Sequence, residues 1–205
     1  MIETVDERIA LPVGEIELAR PLDAEALLTE KGFEQEEFLP YWAELWSSSV
    51  ALAHDLARRS LRGARVLELG CGLGLPSIAA AMAGGRVLAT DWSADAVRAA
   101  ADNAERNEVV LETAVVGWGT PELIVARAPW RFVIASDVLY ERRNVAQLLE
   151  LLPQLVHAGG EVLIADPQRR PAERFLEDAA ADWHVRTTES SRSARTRIHH
   201  LRRRV

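Results

Sequence analysis

Three short stretches of the chain combine residue types that could bind and orient a small ligand. The first is Glu68-Leu69-Gly70-Cys71-Gly72-Leu73-Gly74-Leu75-Pro76. Glycines this dense permit positive φ and let backbone amides come close to a ligand. Gly70, Cys71, Gly72 and Gly74 are therefore candidate binding positions, Cys71 through its amide. The dinucleotide pattern G-x-G-x-x-G fails here, because Leu75 stands three residues after Gly72. A pyrophosphate needs a helix N-terminus aimed at it. A zwitterionic amino-acid moiety instead needs amides for its carboxylate and an acceptor for its ammonium, and Glu68 is placed to organise that acceptor. The same run would also serve as a structural tight turn.

The second stretch is Ala89-Thr90-Asp91-Trp92. An acid about twenty residues past the first glycines can accept both hydroxyls of a ribose, and Trp92 offers a flat face to an adenine. Asp also opens helices, so a structural role stays open. Acid and glycines together favour an adenosine-bearing ligand, without separating a nicotinamide cofactor from S-adenosylmethionine. The third stretch is Ala135-Ser136-Asp137-Val138-Leu139-Tyr140. An acid and a phenol at Asp137 and Tyr140 can hold an amine while its lone pair attacks; a helix cap and packing are the structural alternatives. Methyl transfer to nitrogen needs alignment, a dry site and a deprotonated nucleophile, so positioning supplies most of the rate. Trp118, between Gly117 and Gly119, is placed to touch the adenine. Trp46 lies across the site as a lid or else belongs to the core. His54, His157, His184, His199 and His200 show no metal spacing with acids or with Cys71, so no metal is expected.

These residues sit in an alternation of strand and helix. Arg65–Leu69, Arg86–Thr90, Val109–Val116, Phe132–Ser136 and Glu161–Ala165 read as strands. Between them Leu75–Ala83, a helix capped by Ser93 and running through Asn107, and Glu141–Leu155, closed by Gly159-Gly160, read as helices. A helix at Pro171–Ala181 precedes an antiparallel pair, His184–Glu189 and Arg195–Arg203. The expected fold is α/β: a Rossmann-like, doubly wound, mostly parallel sheet with helices on both faces. Ligands in such sheets bind beyond the C-terminal ends of the strands, where all three stretches fall. Residues 1–40 read as an accessory segment, with a hairpin (Glu3–Ala10, Glu15–Ala19) and a short helix (Ala24–Glu30).

A chain of 205 residues, 48% hydrophobic, suits one domain with a small appendage. Its net charge of −7 argues against a general nucleic-acid or membrane-surface binder, and its single cysteine excludes a disulfide framework. The acidic N-terminus does not resemble a signal peptide, so a cytoplasmic protein is expected. With no heptads or long exposed apolar strand, so is a monomer. Charge is uneven: residues 1–37 carry eleven acids and three bases, while Arg186–Val205 carries seven arginines and one acid. These ends could pair; solvated faces are the preferred reading.

From about Tyr41 onward the chain resembles the class I, seven-strand, S-adenosylmethionine-dependent methyltransferases. The resemblance rests on YWAELWSSSVALA, VLELGCGLGLPSIAAAMAG, the acid in TDWS, the Trp-Gly pair after the third strand, and SDVLY. The D-x-x-Y quartet Asp137–Tyr140, joined to the Trp46 segment, narrows it to the methyltransferase-like protein-lysine methyltransferases, often labelled nicotinamide N-methyltransferase-like. The resemblance implies seven strands with a final antiparallel one, and a methyltransferase domain over residues 41–205. It also implies cofactor contacts from Trp46, Gly70, Cys71, Gly72, Asp91, Trp118 and Ser136, and an acceptor side shaped by Asp137 and Tyr140. S-adenosylmethionine is then the donor and S-adenosylhomocysteine the product, with a protein lysine the favoured acceptor. A small-molecule amine N-methyltransferase and a non-catalytic cofactor-binding partner protein are the alternatives. Arg131 stands where relatives have an acid, and Asp166-Pro167 with Arg169 and Arg170 has no assigned place in lysine recognition.

Overall fold

The structure, a computed structural model, describes residues 3–24, 27 and 40–204. It opens with an antiparallel hairpin, β1 (Thr4–Leu11) and β2 (Gly14–Pro21). The helix expected over Ala24–Glu30 falls mostly outside the described residues. A 3-10 turn at Tyr41–Ala43 leads into α1 (Ser47–Leu56). The alternation then runs β3 (Arg65–Leu69), α2 (Leu75–Met82), β4 (Arg86–Asp91), α3 (Ala94–Arg106), β5 (Glu112–Val115), α4 (Glu122–Ala126) and β6 (Trp130–Ser136). It continues through α5 (Arg142–Leu155), β7 (Val156–Asp166), α6 (Arg170–Ala179), β8 (Trp183–Ser190) and β9 (Ser193–Arg203).

Central strands such as Val66–Leu69 are buried on both faces, the condition under which parallel pairing is favoured. The seven-stranded sheet has the order β5-β4-β3-β6-β7-β9-β8, and β9 runs antiparallel to both its neighbours. The chain winds outward from β3 through β4 to β5, then crosses back to β6 on the other side of β3. The crevice at the C-terminal ends of β3 and β6 is therefore the topological switch point. The pleat divides the core. Leu67 and Val133 face α5 and α6 through Leu148, Leu155 and Phe175. Val66 and Ile134 face Leu52 and Leu56 of α1. Each such fully buried side chain contributes about 1.5–3 kcal/mol.

The hairpin is anchored onto this body. Ile16 and Leu18 have no exposure and pack against Leu75, Ile78 and Ala104. Asn103 on α3 and Asn107 at its C-cap, one turn apart, act as a surrogate strand for β2. Their side-chain oxygens accept from the Ala19 and Glu17 amides at 2.8 and 2.9 Å, and their amide groups donate back to the same residues' carbonyls. Asn103 also donates to the Leu73 carbonyl at 3.0 Å, which ties the hairpin to the glycine turn.

Some boundaries differ from the sequence expectation. β5 is only four residues, Glu112–Val115, rather than Val109–Val116. Gly159 and Gly160 do not close α5, which ends at Leu155; they lie inside β7. A Cβ on Gly160 would collide with Val156, so glycine is needed at this bend. Arg131 donates to the Gly159 carbonyl beside it and lies over the Phe132 ring, binding β6 to the start of β7.

Candidate functional site

A cavity of about 440 Å³ opens in the crevice. Its floor is the glycine turn. Gly70 has φ +72°, and a Cβ there would sit 3.3 Å from Val138 and 3.8 Å from the Trp118 ring, narrowing the space between them. Gly72 donates its amide to Asp91 Oδ2 at 3.1 Å, and Ser93 donates to Oδ1 at 3.0 Å. The Asp91 carboxylate thus clamps the turn to the end of β4 while lining the cavity. Its burial raises its pKa, opposed by the backbone hydrogen bonds from Ser93, Gly72 and Trp92. The Cys71 thiol is also buried, and desolvation pushes its pKa well up.

Of the twelve residues singled out from sequence, ten line this cavity. They are Gly70, Cys71, Gly72, Asp91, Trp92, Trp118, Trp46, Ser136, Asp137 and Tyr140. Glu68 and Gly74 do not line it. Glu68 has no exposure and sits beneath the turn, where Oε2 accepts from the Ser77 hydroxyl and Oε1 has no partner. Burial raises its pKa to about 8, so at neutral pH it holds its proton rather than offering a charged acceptor. Gly74, at φ +84°, lets the turn approach α3: a Cβ would come within 2.9 Å of the Ala100 Cβ. Both residues support the turn from behind.

The acceptor side begins where β6 ends. Asp137 takes φ +57°, unusual for a residue with a side chain, and its amide donates to the Ala165 carbonyl at 2.9 Å. The residue at the N-cap of α5 is Glu141, so Asp137 does not cap that helix. Its carboxylate instead takes a two-pronged ion pair from Arg169, Nε to Oδ1 at 2.9 Å and Nη2 to Oδ2 at 3.2 Å. Asp166 delivers that arginine: its Oδ1 accepts the Arg169 amide at 2.8 Å across a tight turn with Gln168 at φ +66°. The other Asp166 oxygen is buried without a protein partner, and desolvation raises the pKa to about 6.

An aromatic rim surrounds the pair. The Arg169 guanidinium lies 5.7 Å from the Trp46 ring centroid, and the Trp46 indole N–H donates to the Tyr41 carbonyl at 2.8 Å. The Tyr41 ring lies 6.2 Å from Trp46 and 5.8 Å from Tyr140. Tyr41, Trp42 and Arg169 line the cavity and were not assigned to it from sequence. Arg169 follows the end of β7 by three residues, so the strand-end rule alone could have found it. Tyr41 carries no such signal.

The family described as Lysine methyltransferase matches residues 33–181. The chain belongs to this family. The matched span carries the glycine turn, Asp91, Asp137, Tyr140 and Arg169, and it stops short of β8 and β9. Among individual relatives, the chain is 35% identical over 151 residues to the electron transfer flavoprotein beta subunit lysine methyltransferase of Xenopus laevis, covering 69% of this chain and 60% of that one. It is 30% identical over 149 residues to the human histone-arginine methyltransferase METTL23, covering 69% and 78%. It is 27% identical over 151 residues to the protein N-lysine methyltransferase METTL21A of Danio rerio, covering 70% and 69%. The match thus spans less than two thirds of the frog lysine methyltransferase's length. The fold is that of solved methyltransferases. A 16S rRNA N2 G1207 methyltransferase from T. thermophilus, solved with AdoMet and guanosine, superposes on all of this chain and 51% of its own, with a TM-score of 0.72 at 14% identity. The ribosomal protein L11 methylase of Lactobacillus delbrueckii subsp. bulgaricus gives 0.64 at 18% identity, covering 79% and 81%.

Proposed function

We propose that the chain transfers a methyl group from S-adenosylmethionine to the side-chain nitrogen of a lysine in a protein. One observation carries the reading. A single cavity in a member of the lysine methyltransferase family holds the glycine turn, the Asp91 carboxylate and the Asp137–Tyr140 pair. The residues fit the donor. The cavity is within the size range of small-ligand sites, Gly70 leaves open space that a Cβ would occupy, and Asp91 stands at the end of β4 where a ribose is held.

In this reading the Gly70–Gly72 backbone approaches the amino-acid end of the donor, Asp91 accepts from the ribose hydroxyls, and Trp92 and Trp118 flank the adenine. Ser136 lies at the end of β6 between the two halves of the site. Bound there, the donor supplies an electrophilic methyl group and departs as a neutral thioether. The remaining work belongs to side chains of the acceptor half. Tyr41, Trp46 and Tyr140 exclude water from the mouth. Arg169 fixes the Asp137 carboxylate in one orientation, leaving its outer lone pairs to receive an N–H from the amine. The guanidinium charge also disfavours a second cation beside it, so the acceptor nitrogen enters as the free amine with its lone pair available. Tyr140 steadies that nitrogen from the opposite side. The frog and zebrafish relatives named for lysine support this choice of acceptor. The same reading has the chain acting as a cytoplasmic monomer that does not use nucleic acid.

The test is transfer of tritiated methyl from labelled donor into a host-cell lysate, followed by acid hydrolysis of the labelled protein. Label in methyl-lysine supports the proposal. Label in methyl-arginine moves the acceptor to arginine, the residue in the human relative's name. Label confined to small molecules replaces the protein substrate, and no label despite donor binding leaves a binding module.

A further inference from the structure

Several exposed arginines of the described chain are matched to acids. Arg8 pairs with Glu17 at 2.8 Å, Arg98 with Asp95 at 2.9 Å, Arg106 with Asp6 at 3.2 Å and Arg174 with Asp178 at 2.8 Å. Others make no ion pair, and three of these stand together beside the mouth of the cavity. Arg170, Arg195 and Arg197 are all exposed, and none makes an ion pair with a described carboxylate. The topology brings them to one place. Arg197 stands opposite Asp166 in the β7–β9 register, and the Gln168 side chain donates to the Arg195 carbonyl at 3.1 Å. Arg170 begins α6 directly after Arg169, the guanidinium that lines the cavity. Arg195 and Arg197 share one face of β9 through the two-residue period of the strand. The acid across from Arg197 is Glu189, an exposed partner in β8 register that forms no ion pair with it.

In a chain of net charge −7, three cations without an ion pair at the acceptor side are a local grouping of positive charge. We propose that Arg170, Arg195 and Arg197 form a docking strip for an acidic stretch of the protein acceptor, which positions a nearby lysine to enter past Arg169 toward Asp137 and Tyr140. The inference rests on the lysine-methylation reading and narrows its substrate class. Guanidinium groups match carboxylates in a planar, two-pronged geometry. Exposed pairs of this kind are individually weak, so the strip acts on encounter and register rather than on the chemical step. A short acidic segment touches only the strip, whereas a long polyanion such as RNA also meets the chain's overall charge of −7. Arg195 and Arg197 lie past the family-matched span, residues 33–181.

The experiment uses two fluorescein-labelled peptides, each with one central lysine, one flanked by glutamates and the other by glutamines. The full chain is compared with a variant carrying Arg170→Gln, Arg195→Gln and Arg197→Gln. S-adenosylhomocysteine affinity and the thermal midpoint serve as folding controls, since none of the three lines the cavity. For the unaltered chain the glutamate peptide is expected to bind more tightly by anisotropy and to show a KM about tenfold lower, with three weak pairs acting together. In the variant that difference disappears while kcat is unchanged, and added salt erodes it in the unaltered chain. Equal binding of both peptides, a preference that survives in the variant, or stronger competition by single-stranded RNA than by the glutamate peptide overturns the proposal. The two readings fail separately. Strip-dependent binding of the glutamate peptide without methyl transfer defeats the enzymatic reading and leaves docking intact. Equal methylation of both peptides does the reverse.

Discussion

Replacing Glu68 with glutamine changes how the stability of this protein depends on pH, and the size of the change follows from the site. The Glu68 carboxyl has no exposure, one hydrogen bond from Ser77 and one oxygen without a partner. Burial lifts its pKa from 4.5 to about 8. A carboxyl raised on folding holds its proton more tightly in the folded state. Its contribution to stability is therefore complete below pH 4.5 and is lost as the pH climbs through about 8. Within that interval each pH unit removes about 1.4 kcal/mol, on the order of 5 kcal/mol in all. That is a large part of the roughly 5–15 kcal/mol that holds a domain together. Glutamine keeps the shape and cannot ionise. Urea unfolding followed by tryptophan fluorescence, at pH values near 5, 7 and 9, compares the two proteins while titrations remote from Glu68 cancel. The curves should agree within about 1 kcal/mol at the acid end, and the variant should be more stable by several kcal/mol at the alkaline end. Parallel curves over the whole range would show that this carboxyl is already ionised in the folded chain and refute the reasoning.

Other substitutions separate the two halves of the site. Tyr140→Phe should lower turnover more than affinity for S-adenosylhomocysteine, because its hydroxyl serves the acceptor; equal losses contradict that placement. Arg169→Gln frees the Asp137 carboxylate and should reduce kcat by roughly tenfold to a hundredfold, the worth of a charged hydrogen bond, with product-analogue affinity nearly unchanged in calorimetry. Gly74→Ala places a methyl group 2.9 Å from Ala100 at a positive φ and should cost about 1–3 kcal/mol in thermal unfolding. Any surviving folded protein should still bind the analogue, since Gly74 does not line the cavity.

Much of this is legible in the amino-acid sequence alone. Short apolar runs ending in glycine or acid, separated by amphipathic stretches, specify parallel strands and the edge at which ligands gather. The glycine turn, Asp91 and Asp137–Tyr140 fall there by that rule. What the sequence leaves open is direction. Glu68 and Gly70 are two residues apart at a strand end, yet one buries its side chain in the core and the other lines the cavity with its backbone, and spacing cannot say where the turn begins. Gly74 looks like its neighbours, but its constraint comes from Ala100, on a helix the sequence does not place against it. Arg169 finds its partner 32 residues away, beyond the reach of periodicity. The Gly159-Gly160 pair reads as a helix stop because glycines usually are, whereas here they let β7 start early beside Trp130.

The central claim is that the glycine turn and Asp91 together receive an adenosyl amino acid rather than a dinucleotide. Calorimetric titration of the purified chain with S-adenosylhomocysteine and with NAD, repeated on Asp91→Asn, tests it most directly. The account expects one-to-one binding of S-adenosylhomocysteine, no saturable heat from NAD, and an affinity lowered roughly tenfold to a hundredfold in the variant. Saturable binding of NAD, or an affinity for S-adenosylhomocysteine that the variant leaves untouched, would contradict it.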